Sequence, residues 1–211
     1  VYTFMESLVT IKDYVHVAKS MGYGALGIMD IDNLYGAYEF IEACQAHKLS
    51  PLVGLEIGLE VDNETIPFRM IALSTKGYQN LMKIVSTGFV DGFYYKPRVD
   101  LEILEKYHEG IIALSACLAG EVARDITKGF YEESKKAALR YEEIFGKGNF
   151  FLELQDHGIP EQHRVNQQLV RMSRETGIEL VATNDIHYTF AEDEKAHDIL
   201  LCIQTGKKVE D

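Results

Sequence analysis

Apolar runs and amphipathic stretches alternate along the whole chain. Runs rich in Ile, Val and Leu stand at residues 25–30 (ALGIMD), 52–59 (LVGLEIGL), 68–74 (FRMIALS), 111–117 (IIALSAC), 150–155 (FFLELQ) and 180–185 (LVATND), each short enough to be a strand. Residues 11–22, 37–48, 77–86, 131–146 and 160–177 instead repeat their apolar side chains at helical spacing, the last with Pro160 in its first turn and Gly177 at its end. Strand and helix in alternation predict βα units and a largely parallel sheet. One stretch departs from that rule: VDNETIPF (61–68) reads as a tight hairpin, so the second and third strands are expected to be antiparallel neighbours. The first helix has no strand in front of it. The expected fold is therefore α/β, an irregular (β/α)7 barrel whose first strand is missing or lies before Val1.

Bulk composition narrows this picture. A chain of 211 residues with 46% hydrophobic content can bury one sizeable core, so residues 1–211 are expected to form a single domain. Against 21 basic residues stand 33 acidic ones, a net charge of -12, which argues against gripping phosphate backbones by general electrostatics. If the protein meets nucleic acid, a metal or another domain must help. Cys44, Cys117 and Cys202 lie far apart with no Cys-x-x-Cys pair, so neither a disulfide framework nor a zinc ribbon is indicated, and a reducing cytoplasm fits. No apolar stretch approaches the ~18 residues of a membrane span. The sequence opens at Val1 without a methionine, and a longer parent polypeptide is expected.

Candidate chemistry gathers at the strand ends. In a parallel barrel the C-terminal ends of the strands converge on one rim. Those ends carry Asp30, Glu56, Cys117, Glu153 with His157, and Asp185 with His187. The Asp-x-His spacing would point Asp185 and His187 the same way on a continuing strand. Carboxylate, imidazole and thiolate together suit zinc or manganese and disfavour calcium. Each residue also has an ordinary structural role open to it. Asp30 and Asp32 can serve as turn and cap residues, Cys117 as a small buried hydrophobe, Glu153 as the partner of a neighbouring Arg, and His157 as a cap before Pro160. His16, His47, His108, His163 and His197 fall on helix faces or ends and read as surface residues.

Four stretches, GIMDIDNLYGAYEFIEACQAHKLSPLVGLEIGL, GFYYKPRVDLEILEKYHEGIIALSACLAGEV, NFFLELQDHGIPEQHRVNQQLV and VATNDIHYTFAEDEKAHDILLCIQTGK, resemble the N-terminal polymerase-and-histidinol-phosphatase (PHP) domain of bacterial DNA polymerase III alpha subunits. The resemblance spans essentially the whole chain. It implies a (β/α)7 barrel that in many members holds up to three metals through nine ligands, as in metal-dependent phosphoesterases. Carried over position by position, it implies Glu6, Glu56, Cys117, Asp185 and His187 as metal ligands of a partial or vestigial site, with Asp30 in a supporting shell. Zinc or manganese would be the ion. Two positions depart from the pattern: Ile31 stands where a histidine ligand belongs, and Arg69 replaces the histidine of the next strand. Ile31 has no lone pair, and the permanently charged Arg69 repels a divalent cation. No catalytic residue is assigned.

The resemblance implies a parent that synthesises DNA on a template, in the bacterial cytoplasm. Its partners would be the remaining polymerase domains, DNA through the parent enzyme, and a proofreading subunit. For the domain itself three roles stay open: a scaffold with a degenerate metal site, a metal-dependent phosphoesterase or 3'-5' proofreading exonuclease, and a docking module. Glu6, Glu56 and Asp185 crowded on one rim without a cation would repel each other. The Arg69 guanidinium is therefore expected to take the place of a metal, within hydrogen-bonding distance of Glu56 or another rim acid.

Overall fold

The structure is a computed structural model and describes residues 6–209. In chain order the elements are α1 (Ile11–Ser20), β1 (Ala25–Ile31), α2 (Ala37–Ala46), β2 (Ser50–Val61), β3 (Glu64–Ala72), α3 (Thr75–Val90), β4 (Arg98–Val99), α4 (Leu101–Tyr107), β5 (Ile111–Leu114), α5 (Glu121–Lys128), α6 (Tyr131–Phe145), β6 (Phe150–Leu154), α7 (Pro160–Thr176), β7 (Leu180–Ala182) and α8 (Glu194–Thr205). Oxygen-bearing side chains start several helices. Thr10 accepts from the Asp13 amide, Ser74 from the Gly77 amide and Asp100 from the Ile103 amide, so donors left over in each first turn find acceptors. Gly129 and Gly177 end α5 and α7 in the left-handed conformation that a side chain would strain.

The chain divides into two compact units: residues up to Val53 together with those from Asp185 onward, and residues Gly54–Asn184. In the first, α1 buries Ile11, Val15 and Ala18, and α2 buries Ala37, Phe40 and Cys44. The Tyr14 hydroxyl donates to the Gly27 carbonyl of β1 at 3.1 Å, and β1 is hydrogen-bonded to β2, whose opening residues belong to the same unit.

In the second unit β2 and β3 form the expected hairpin. Asp62 and Asn63 both have positive φ, 52° and 64°, and a two-residue loop with that twist matches the twist of the flanking strands. The hairpin has a consequence that periodicity alone did not reveal. It reverses β3, so β3 is antiparallel to its other neighbour, β5, as well, whereas β5–β6 and β6–β7 are parallel. A short β4 pairs in parallel with β2, Arg98 lying opposite Gly58. Thus a seventh strand is present among the described residues, but it is this two-residue segment inside the chain. Helices α4, α5 and α8 also went unread in the sequence, being short or, for α8, without a single buried residue.

Alternation along β3 decides what its two faces do. Ile66, Phe68 and Met70 are buried, while Pro67, Arg69 and Ile71 point to the opposite face. On the buried face the Phe68 ring lies 4.9 Å from that of Tyr141 and 5.9 Å from that of Phe145, both on α6. The other face carries the site.

Candidate metal centre

The register of the hairpin sets Glu56 directly opposite Arg69. Same-face neighbours across a strand pair are within side-chain reach. The Arg69 Nε donates to Glu56 Oε2 at 2.6 Å, and its Nη1 donates to Glu153 Oε1 at 3.2 Å from the strand β6. All three side chains are largely removed from water: 12% exposed for Arg69, 16% for Glu56 and 1% for Glu153. Burial by itself would lower the Arg69 pKa, but Glu153 and then Glu56 raise it above its ordinary value, so the guanidinium is a fixed charge. Glu153 is held in turn. Its amide donates to Ser115 Oγ at 2.9 Å, and its Oε1 also accepts from Gln155 Nε2 at 3.4 Å and from the Thr183 hydroxyl. Its Oε2 is buried without a hydrogen-bond partner among the described residues.

Cys117 follows Ala116, whose φ of 60° is unusual for a residue with a side chain, in the turn between β5 and α5. It is a free, half-buried thiol that shares a small cavity with Glu153, Gln155, Gln162 and Asn166. The α5 side of this turn is secured by Glu121, which accepts from Arg140 Nη2 at 2.7 Å and from the Tyr141 hydroxyl. His157 engages Gln162 twice: its amide donates to Oε1 at 2.8 Å, and its Nδ1 lies 3.0 Å from Nε2. These contacts tie the loop before Pro160 to the first turn of α7, whose N-cap, Ile159, has no side-chain cap bond, so His157 does not cap the helix.

The first unit holds the remaining candidates. Asp30 Oδ2 accepts from the Gly36 amide at 3.1 Å, the residue that caps α2, and the Ile31 carbonyl accepts from Asn33 Nδ2 at 2.8 Å. Asp30 thus performs the turn and cap role. Asp185 and His187 pair, and His187 meets the backbone of Glu6 rather than its carboxylate. His187 Nδ1 lies 2.6 Å from the Glu6 carbonyl oxygen, and its Nε2 lies 3.3 Å from Asp185 Oδ1. A carbonyl can only accept, so Nδ1 carries a proton. His197, read from sequence as a surface residue, belongs here too and corrects that reading. Its Nε2 is 3.1 Å from the same carbonyl, its ring centre is 5.4 Å from that of His187, and Gln204 Nε2 donates to Glu6 Oε1 at 3.1 Å. The signal missed was the helical period of AEDEKAHDILLCIQ, which places His197 and Gln204 on one face of α8.

The hydrogen bond to Asp185 raises the His187 pKa, outweighing the burial that lowers it, and the Glu6 carbonyl adds to the rise. A raised folded-state pKa contributes stability below the unfolded value that is lost as pH climbs through the folded one. His187 is therefore expected to titrate above ~6.5. The clasp on residues 6–8 should loosen on the alkaline side of that transition. An NMR titration of the imidazole resonances checks it, and a midpoint at or below the ordinary histidine value would contradict the assignment.

Do these residues fit a multi-metal centre? The described residues contain no three His, Cys, Asp or Glu side chains gathered as a metal ion would require. The ion between Glu56 and Glu153 is the guanidinium of Arg69, and the Ile31 side chain offers no donor atom. Glu56 and Glu153 thus share a cation that the protein itself supplies.

Comparison with known proteins now adds the family. The family model for the PHP domain matches residues 1–157, and the chain belongs to that family. Across its full length it is 38% identical to the DNA polymerase III alpha subunit of Treponema pallidum and 37% identical to that of Borreliella burgdorferi. A relative from Thermus aquaticus is 38% identical over 89% of the chain. The chain spans only 19% of the length of the Treponema and Borreliella proteins. Among solved structures, an amidohydrolase from Chromobacterium violaceum, with bound sulfate and no metal, superposes with a TM-score of 0.58 at 13% identity, covering 89% of this chain and 85% of that one. A protein assigned as a metal-dependent phosphoesterase from Bifidobacterium adolescentis gives 0.53 at 13% identity, covering 86% and 84%. At that identity the likeness concerns the fold, which is the α/β fold expected from the sequence. No helix among the described residues is long and apolar enough to cross a membrane.

Proposed function

We propose that this chain is the N-terminal PHP domain, residues 1–211, of a bacterial replicative DNA polymerase alpha subunit, and that the domain acts mainly as a structural scaffold with a degenerate metal site. Template-directed synthesis would belong to the remaining domains of the same polypeptide, in the cytoplasm, with DNA reached through the parent enzyme and a proofreading subunit as a further partner. The observation that supports the scaffold role is the Arg69 guanidinium seated between Glu56 and Glu153. A permanent cation there balances the acids at all usable pH and repels a divalent ion. Of the family's ligand positions, Glu6, Glu56, Cys117, Asp185 and His187 retain side-chain donor atoms of the kind that zinc or manganese takes.

The test is metal content after dialysis against zinc or manganese, with hydrolysis of 3'-ended single strands followed in parallel. The unmodified chain is expected to take up no more than a single ion and to leave the strands intact. Ile31→His combined with Arg69→His should raise uptake of either metal. A fully loaded multi-metal centre with strand hydrolysis in the unmodified chain would replace the scaffold reading with that of a phosphoesterase.

A further inference from the structure

The segment joining α3 to β4 combines a tightly built base with an exposed tip. Gly92 lies so close to the chain that a Cβ there would sit 2.0 Å from the Arg98 carbonyl oxygen. A Cβ on Gly58 of β2 would come within 3.2 Å of the Pro97 carbonyl oxygen. Pro97 and Val99 are buried, so the segment is anchored to β2 and α3. Yet Phe93, Tyr94 and Tyr95 are 55%, 63% and 84% exposed. Tyr95 stands at φ 61°, a conformation that bulky side chains rarely adopt, and the Tyr94 amide donates to the Lys96 carbonyl across it at 3.1 Å. Backbone strain spent to hold an aromatic ring in water marks a site of use.

The charges around the rings indicate the ligand. The Arg98 guanidinium lies 5.0 Å from the Tyr94 ring centre while its Nε contacts Glu60 at 3.1 Å. Lys96, beside Tyr95, is exposed, and its ammonium has no side-chain partner among the described residues. The rings of Tyr94 and Tyr95 meet edge to face, with centres 4.7 Å apart, leaving ring surface open to solvent. We propose that this tip, Tyr94, Tyr95 and Lys96 with Arg98, is a stacking platform for single-stranded nucleic acid. Flat bases would stack on the tyrosine faces and the connecting phosphates would meet Lys96 and Arg98. Unpaired lysine and tyrosine hydroxyls at the tip suit a ligand of flat faces and anionic links better than an aliphatic protein surface. The net charge of -12, from which help by a metal or another domain was expected, bears on general electrostatic grip; here stacking on the tyrosines carries the contact, so its salt dependence is shallow, set by one or two phosphates. The inference goes beyond the scaffold reading in naming a ligand class, and its test involves no metal.

The experiment is fluorescence anisotropy of a short labelled oligothymidylate titrated with the chain at low ionic strength. Tyr95→Asn removes the ring and keeps a residue that tolerates the left-handed backbone, and it should weaken binding about tenfold. Tyr94→Ala repeats the test at a position without positive φ. Lys96→Ala should weaken binding and reduce the salt slope by about one ion. Tyr38→Ala, an exposed tyrosine in the other unit, should bind as the unmodified chain does. The proposal is overturned if the unmodified chain does not bind, or if Tyr95→Asn, Tyr94→Ala and Lys96→Ala all retain full affinity. It is equally overturned if these variants abolish self-association while oligonucleotide affinity is unchanged, which would make the tip a protein contact. Metal uptake by the Ile31 and Arg69 double variant decides the scaffold reading independently.

Discussion

Arg69→Leu is expected to destabilise the protein by about 3–5 kcal/mol, the range for breaking a buried ion pair by removing one partner. The leucine preserves the apolar stem but strands two acids. Glu153 is 1% exposed and Glu56 16%, so neither can recover full hydration, and the Oε2 of Glu153 already lacks a protein partner among the described residues. Attraction to the guanidinium is what offsets the cost of burying them together. Arg69→Lys should recover only part of the loss, because a single ammonium lacks the planar fork that reaches Glu56 through Nε and Glu153 through Nη1 at once. Urea denaturation of the three proteins measures the effect. A cost below about 1 kcal/mol would show that the pair behaves like an exposed one and that the guanidinium is not needed to balance the acids.

Phe68→Ala, one residue away and on the other face of β3, should cost a similar 3–5 kcal/mol for a different reason. Phe68 is 2% exposed and packs against Tyr141 and Phe145, so alanine forfeits both the burial of the ring and its aromatic contacts, leaving a cavity between sheet and helix. Phe68→Leu should restore much of the loss by refilling volume. Metal uptake offers a second measurement: in a folded Phe68→Leu protein it should match that of the unmodified chain, since this side chain faces away from the polar site. Adjacent residues of one strand would then separate what packs the core from what balances the buried acids.

Much of this organisation is legible along the chain because it is local. Thr10, Ser74 and Asp100 satisfy amides three residues away, Pro160 and Gly177 bracket a single helix, and the two central residues of the Asp62–Asn63 turn set the hairpin by their own dihedral angles. The hairpin in turn makes the Glu56–Arg69 contact foreseeable, since the two residues stand thirteen positions apart on strands joined by a two-residue turn, and one register keeps Leu55, Ile57, Phe68 and Met70 buried. The loss of donor atoms at Ile31 and Arg69 is likewise a matter of residue chemistry.

What sequence could not decide is how distant pieces meet. Glu153 was one acid among several, and only the ordering β3–β5–β6 brings it to Arg69 across 84 residues. His197 looked like a surface residue because its partner, the Glu6 carbonyl, is 191 positions away and carries no side-chain signal. The two-residue β4 and the reversed pairing of β3 with β5 are likewise products of assembly: too few residues carry a periodic pattern in the one, and strand direction leaves no trace in hydrophobicity in the other. The sequence by itself determined the longer strands and helices and the hairpin, and, through the family resemblance, the missing side-chain donors at Ile31 and Arg69, since each rests on the dihedral preferences, spacing or chemistry of near neighbours. Tertiary structure alone chose which acids share the Arg69 charge and which histidines clasp residue 6, because those contacts depend on strand order and side-chain burial that no local window contains.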